Sequence, residues 1–281
     1  MKPATVGMAL RHAAKSLSEA GVVGASRDAR YLMAEALGVP RDRLVLNEPD
    51  FLEAKAAERF AGFLAERAAR KPVSRMLGRR DFYGRSFKRS PYVLDPRPET
   101  EILIEAALAV PFEKVLDLGT GSGCILLTLM AESGAAIGVA TDVSADALEA
   151  ARENAALLEI ESRSKFVESD WFSDVHGVFD LIVSNPPYIA VNEMPSLAAE
   201  VALFDPQTAL TDDKDGLSAY RAIAQGAQRH LRPGGRLIVE IGPTQAGAVR
   251  LILERAGFSI VQVHSDLDGR DRIIEAHVAA T

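Results

Sequence analysis

The stretch "VLDLGTGSGC", Val115–Cys124, decides the fold. An apolar run leads into glycines at 119, 121 and 123, and a helical pattern begins near Ser122. Glycine lets the backbone turn sharply and lets a ligand approach it closely. A glycine-rich turn alone says little, but a strand before it and a helix after it make it a nucleotide-type loop. Asp142 ends the next strand-like run, "AIGVATDV", 19 residues after Gly123. An acid there can accept hydrogen bonds from both ribose hydroxyls of an adenosyl ligand.

The spacing is G-x-G-x-G preceded by Asp117, which differs from the G-x-G-x-x-G dinucleotide fingerprint. It resembles the S-adenosylmethionine loop of class I methyltransferases. That resemblance assigns Gly119, Thr120, Gly121, Ser122 and Gly123 to the cofactor and Asp117 to its methionine end. It also places an adenine wall after the third strand, at "ESDWF", where Trp171 offers an aromatic face and Asp170 an acceptor for an exocyclic amine. Cys124 reads as a small packing residue, since no His or Lys lies close in sequence to activate it.

Outward from this loop, strands and helices alternate. "KVLDLG", "AIGVATDV", "SKFVESD", "FDLIVSN" and "GRLIVEIG" read as strands, with the helices "SADALEAARENAALL" and "GLSAYRAIAQGAQRHL" between them. A final strand pair, "FSIVQVHSDL" and "RDRIIEAHV", closes the chain. The pattern predicts an α/β fold of the Rossmann-like kind, a mainly parallel sheet with an antiparallel C-terminal strand, with ligands at the carboxyl ends of the strands. Residues 1–75 show only helical periodicity. Val6, Leu10, Ala13, Ala14 and Leu17 share one stripe, with Gly21 as a stop. A second helix is expected from a Ser26 cap to Gly38. A third carries Phe51, Leu52, Ala56, Phe60, Phe63 and Leu64 on one face and ends by Pro72. Aromatics alternating around Gly84 predict a hairpin, and "DPRPETEILIEAALAV" opens a further helix. The expected division is a helical recognition domain at 1–75, a linker with the hairpin at 76–95, and a catalytic domain at 96–281.

Composition sets limits. The 281 residues are 48% hydrophobic and 25% charged, as expected of a globular chain with a sizeable core. No apolar run reaches the roughly 20 residues needed to span a bilayer, and the N-terminus lacks the apolar centre of a secretory signal. The single cysteine excludes an internal disulfide and fits a cytoplasmic location. The five histidines, His12, His176, His230, His264 and His277, are scattered, and no metal-ligand cluster is evident. Residues 1–100 carry 19 Lys+Arg and 12 Asp+Glu, a net of +7, whereas the remainder carries −14. That acidity argues against a nucleic-acid substrate.

"SNPPYI", Ser184–Ile189, supplies the chemistry. A residue before proline is driven to extended backbone, and both Asn185 and Pro186 precede prolines. The prolines lack N–H groups, so the segment presents acceptors with few competing donors. An amide nitrogen is a poor nucleophile and carries two donor hydrogens. The Asn185 side-chain oxygen can take one and the Pro186 carbonyl the other, holding the nitrogen in line and stabilising its developing charge. Tyr188 can pack on the planar amide, and Pro187 completes the substrate site.

"NPPY" after this loop resembles the amino-methyltransferases that act on adenine N6 or glutamine N5. "PVSRMLGRRDFYG", "DPRPETEILIE", "VLDLGTGSGC", "SDWF", "SNPPYI", "EVALFDPQTAL" and "LDGRDRIIEA" together resemble the PrmC/HemK family, the release factor glutamine methyltransferases. Asp95 and Glu99 depart from the family's usual residues without removing a group the chemistry needs. The resemblance implies S-adenosylmethionine as methyl donor, S-adenosylhomocysteine as product, and the glutamine of the Gly-Gly-Gln loop of class I peptide chain release factors as acceptor. It implies catalysis by Asn185, Pro186 and Tyr188, with Asn185 touching both cofactor and glutamine. Rival acceptors are a ribosomal-protein glutamine and DNA adenine. Arg79, Arg80, Arg85, Lys88 and Arg89, with the helical domain, are expected to dock an acidic face of the release factor.

Overall fold

Apolar side chains at helical spacing build the first unit. The computed structural model describes residues 4–134 and 137–279. Helix α1 (Val6–Glu19) buries Val6, Leu10, Ala13 and Leu17 on one stripe. Its cap is Thr5, whose hydroxyl oxygen accepts from the Met8 N–H at 3.3 Å. Helix α2 (Ala25–Leu37) enters from Gly24 at φ 74° and leaves at Gly38 at φ 70°. Ser26 is therefore not its cap: the left-handed glycine makes the turn two residues earlier, and Ser26 lies inside the helix. Helices α3 (Leu44–Asn47), α4 (Ala54–Ala68) and α5 (Val73–Leu77) follow. Phe51 does not share the buried face of α4. It precedes the helix, is 66% exposed, and pairs with Thr5 in an isolated antiparallel bridge. Leu17, Leu32, Met33, Leu44 and Phe60 form the core.

The second unit begins at Arg79. Strands β1 (Arg79–Phe82) and β2 (Arg85–Lys88) pair antiparallel. Their two-residue turn holds Tyr83 at φ 47° and Gly84 at φ 73°, the backbone sign that a tight hairpin needs. After α6 (Thr100–Leu108) the chain alternates through β3 (Lys114–Leu118), α7 (Cys124–Ser133), β4 (Ile137–Asp142), α8 (Ala145–Leu157), β5 (Ser164–Glu168) and β6 (Phe179–Ser184). It then passes α9 (Ala199–Phe204), α10 (Ser218–His230), β7 (Leu231–Glu240), α11 (Ala246–Arg255), β8 (Ser259–Ser265) and β9 (Asp271–His277). Chain contacts group α9 with the first unit, which otherwise ends at Gly78. Arg79–Ala198 and the residues from Asp205 onward form the second unit, hairpin included.

The sheet runs β5-β4-β3-β6-β7-β9-β8. The five strands from β5 to β7 are parallel, and β9 lies antiparallel between β7 and β8. Helices cover both faces, so the parallel strands are apolar on both sides. Val115 joins Ile104, Leu126 and Met130 on one face, whereas Leu116 and Leu118 join Tyr220, Ile223 and Val239 on the other. From β3 the chain winds outward through β4 and β5, then returns to β6 on the other flank. The order therefore reverses between β3 and β6, the point where ligands bind in open α/β sheets.

Arg236 on β7 braces the back of this unit. Its guanidinium donates to the carbonyls of Ala106, Ala107 and Val110 at 3.1, 2.7 and 2.8 Å, holding the C-terminal end of α6, and to Glu275 at 3.2 Å. Both partners are buried. Arg236→Met takes the guanidinium from Glu275 and from three carbonyls. It should destabilise this unit by about 3–5 kcal/mol. Urea unfolding followed by the fluorescence of Trp171, the chain's single tryptophan, measures it.

Candidate active site

The glycine loop turns through left-handed backbone at Gly119 (φ 68°), Gly121 (φ 55°) and Gly123 (φ 79°). The outer two serve different ends. A Cβ on Gly123 would stand 2.9 Å from Leu127 Cδ1 and 3.2 Å from Ala151 Cβ, so this glycine lets α7 start against α8. A Cβ on Gly119 would meet no heavy atom within 4 Å, and Gly119 lines a cleft of about 800 Å³. The loop is fixed by its own bonds. The Thr120 N–H donates to Thr141 O at 2.8 Å, and that of Gly123 to Thr120 O at 2.9 Å. Buried Asn154 on α8 donates to Ser122 O and Lys88 O and accepts from the Lys88 N–H, tying loop to hairpin. Nothing near Asn154 in the sequence signals that role.

Asp117 does not line the cleft. Along a strand, alternate side chains share a face. Asp117 thus follows Val115 under α7, fully buried. Its Oδ2 accepts from the Thr120 hydroxyl at 2.7 Å, and its Oδ1 has no hydrogen-bond partner. Burial pushes its carboxyl up to about 7 against the lowering effect of the Thr120 bond. Asp142 does line the cleft. Its Oδ2 accepts from the Gly121 N–H and its Oδ1 from the Ser144 N–H, each at 3.0 Å. Each carboxylate oxygen therefore keeps acceptor capacity for a ligand hydroxyl. Burial raises the Asp142 carboxyl above its ordinary value.

Asp170 and Trp171 stand at the same edge, on the turn after β5, and both line the cleft. Trp171, at φ 50°, is half-buried against the Leu118 and Tyr220 side of the core, so it serves packing and cleft wall together. Thr120, Gly121 and Ser122 complete this wall.

Asn185 comes to the loop through strand register. Leu118 pairs with Ser184, and the Ser184 hydroxyl donates to Leu118 O at 2.8 Å. The next residues of the two strands, Gly119 and Asn185, both line the cleft, as does Pro187. Pro186 is buried and Tyr188 half-buried, and neither is among the lining residues. Among the described residues no hydrogen bond is made to the Pro186 carbonyl. The Tyr188 carbonyl accepts from Gln245 Nε2 at 2.8 Å. Burial pushes the Tyr188 phenol and the Cys124 thiol each up to about 12, so both keep their protons at neutral pH. The segment Gln207–Asp213 forms a further wall through Gln207, Thr208 and Thr211, a contribution that local sequence did not signal.

The hairpin cations are less available for docking than their sequence suggests. Arg89 forms an ion pair with Asp95 at 3.3 Å, and both side chains are buried. Arg85 binds Glu132 at 2.6 Å, Lys88 binds Glu153 at 3.1 Å, and Arg80 donates to Pro96 O. Arg89 is thus removed from the docking surface, and Arg80, Arg85 and Lys88 are engaged within the second unit.

Strand order, glycine loop and the asparagine at the switch point define the second unit as a methyltransferase domain. Residues 94–213 match the family model described as the methyltransferase small domain, and residues 8–78 match the PrmC N-terminal domain. The release factor glutamine methyltransferase of Cereibacter sphaeroides is 56% identical over 272 residues, covering 97% of this chain and 98% of that one. That of Rhodospirillum rubrum is 42% identical over 274 residues, covering 96% and 84%. Among solved structures, a methyltransferase from Pyrococcus furiosus matches with a TM-score of 0.56 and 19% identity, over 76% of this chain and 99% of that one. The 16S rRNA N2 G1207 methyltransferase RsmC of T. thermophilus, in complex with AdoMet and guanosine, matches with a TM-score of 0.50 and 21% identity, over 71% and 49%. These two speak to the fold alone. The chain belongs to the release factor glutamine methyltransferase family.

The residues fit an S-adenosyl ligand: Gly119 opens onto the cleft without a side chain to fill it, and Asp142 lines the cleft with acceptors to spare. Asp142→Ala should weaken S-adenosylmethionine binding by roughly 1.5–3 kcal/mol, the scale of hydrogen bonds to a charged group. Asp142→Asn, which retains one acceptor, should fall between. Titration calorimetry decides, and unchanged affinity in the alanine variant removes the ribose assignment.

Proposed function

We propose that this chain transfers a methyl group from S-adenosylmethionine to the side-chain amide nitrogen of the glutamine in the Gly-Gly-Gln loop of class I peptide chain release factors. The observation that carries the reading is the register of β3 with β6, which puts Asn185 beside the glycine loop at the mouth of one cleft. The relatives at 56% and 42% identity, both called release factor glutamine methyltransferases, support the choice of acceptor.

When bound, S-adenosylmethionine supplies an electrophilic methyl on a sulfonium. Gly119–Gly123 and Asp142 hold it, with Trp171 and Asp170 against its base. Asn185 Oδ1 accepts one hydrogen of the substrate amide, and the Pro186 carbonyl accepts the other. Pro187 and Tyr188 shape the approach to a planar group. The two acceptors stabilise positive charge as it develops on nitrogen and keep that nitrogen on line. No strong base is required, because the alkylated nitrogen is acidic and releases its proton to water. Tyr188 and Cys124, both held protonated by burial, take no part as bases. The substrate's remaining surface supplies the binding energy that a lone glutamine lacks. The helical unit is the proposed contact for it. No described helix is long and apolar enough to cross a membrane. A cytoplasmic location is proposed from the single, unpaired cysteine.

Labelled S-adenosylmethionine offered in parallel with release factor, ribosomal protein and duplex DNA should label the release factor glutamine. Label on DNA or ribosomal protein instead overturns the reading. Asn185→Ala should lower turnover roughly 10²–10³-fold, by analogy with lost oxyanion contacts. Near-normal turnover of that variant refutes the two-acceptor arrangement.

A further inference from the structure

The Asn185 amide has two unlike ends, and only its oxygen can accept a hydrogen from the substrate. Something must decide which end faces the cleft. Thr100, the first residue of α6, stands against it. Asn185 Nδ2 lies 3.4 Å from Thr100 Oγ1, a long but recognisable hydrogen bond. The Thr100 hydroxyl in turn donates to Glu240 Oε2 at 2.7 Å. Thr100 and Glu240 are each only 1% exposed. Thr100 lines the cleft beside Asn185, and Glu240, the last residue of β7, does not.

Donor and acceptor counting fixes the polarity of this chain. An ionised carboxylate has no proton to give, so the Thr100 hydroxyl proton is committed to Glu240. The Thr100 oxygen is then left only as an acceptor toward Asn185. The Asn185 group that meets it must be the NH₂, and the amide oxygen is left for the cleft. The reverse orientation would oppose the Asn185 NH₂ to the substrate NH₂, a meeting of two donors.

We infer that Thr100, held by Glu240, is a positioning residue that fixes which end of the Asn185 amide faces the substrate. The inference rests on the methyl-transfer reading of Asn185 given above. It has a consequence in pH. A protonated Glu240 can donate to Thr100, which frees the threonine proton for Asn185 Oδ1 and removes the preference. The charged and titratable groups around Glu240 are Glu99 and Arg97 ahead of α6, Arg272 on β9, Tyr188 after β6, Tyr220 on α10 and Cys124 on α7. Burial, with a smaller contribution from Glu99, pushes Glu240 up to about 7, against the lowering effects of Thr100, Arg272 and Arg97. Turnover should therefore fall as pH drops through neutrality, when Glu240 gains its proton.

The test uses the full-length protein with intact release factor. Thr100→Val removes the hydroxyl at constant shape, and Thr100→Ser restores it. Thr100→Val should lower kcat about 10–100-fold, the scale for losing a partner that orients a reacting group. It should leave KM for release factor and Kd for S-adenosylmethionine within about twofold. Its kcat should lose the fall below pH 7 that the parent shows. Thr100→Ser should restore kcat to within a few-fold, together with the pH profile. Unchanged kcat in Thr100→Val overturns the inference, as does equal loss in both variants or a matching loss of S-adenosylmethionine affinity. Failure of the parent chain to methylate release factor would instead sink the functional reading on which this one rests.

Discussion

The cleft depends on one strand pairing. β3 and β6 lie side by side although 60 residues of chain and two other strands separate Leu118 from Phe179. At the carboxyl end of β3, hydroxyls from both neighbouring strands bond its carbonyls. Ser184 donates to Leu118 O from one side and Thr141 to Asp117 O from the other. Slipping this register by one residue would turn every side chain of β6 to the opposite face. Asn185 would then no longer stand beside the glycine loop. The two cores that clamp the sheet, one through Val115, Leu181 and Val183 and one through Leu116, Leu118 and Ile182, prevent the slip.

What could be read along the chain was what is local. Apolar periods and glycine positions revealed the strand–loop–helix units, and proline geometry singled out Asn185. Asp142 was legible because it closes a strand. Asp117 lies under α7 and not in the cleft, a position the strand period makes readable. Two residues after Val115 on the same strand, it had to follow that valine under α7. Ser26 resembles a cap in the sequence because a left-handed Gly24 does not announce itself as a helix entry.

Contacts between distant residues were invisible. Arg89 looked like a free cation until Asp95 was seen to neutralise it. Thr100 and Glu240 lie 140 residues apart and meet only because α6 and the end of β7 converge behind Asn185. The stretches "DPRPETE" and "FDPQTAL" carry a family resemblance in the sequence, and their physical purpose lies in a contact between them. Arg97 of the first donates to Asp205 of the second at 2.7 Å, anchoring the segment that walls the cleft at Gln207–Asp213. The grouping of Ala199–Phe204 with the helices has a similar cause. Within that unit Arg67, 6% exposed, donates from Nε to Asp28 at 2.8 Å and from its fork to Glu200 at 3.1 and 3.2 Å. Arg70 adds a third bond to Glu200 at 3.2 Å. A buried guanidinium needs such partners, and the sequence places one of them 133 residues away.

Two of the carboxylates at the strand ends work against folding. Asp117 and Glu240 are fully buried, and burial raises both to about 7. A raised carboxyl means the folded chain holds protons that the unfolded chain has released. Between the ordinary carboxylate range and about 7, stability from these two groups therefore declines as pH rises, and little of it remains above that window. Replacing either by an apolar residue of similar size would remove the penalty, so stability does not explain their presence. Position does. Asp117 sits under the glycine loop and holds Thr120, while Glu240 sits under Thr100 and, through it, Asn185. Each keeps a polar side chain of the cleft in one orientation, and the dry surroundings that make the acid costly also make its hydrogen bond strong. The sheet's two apolar cores offset that cost, which is how a domain of ordinary composition can keep two buried acids beneath its active site.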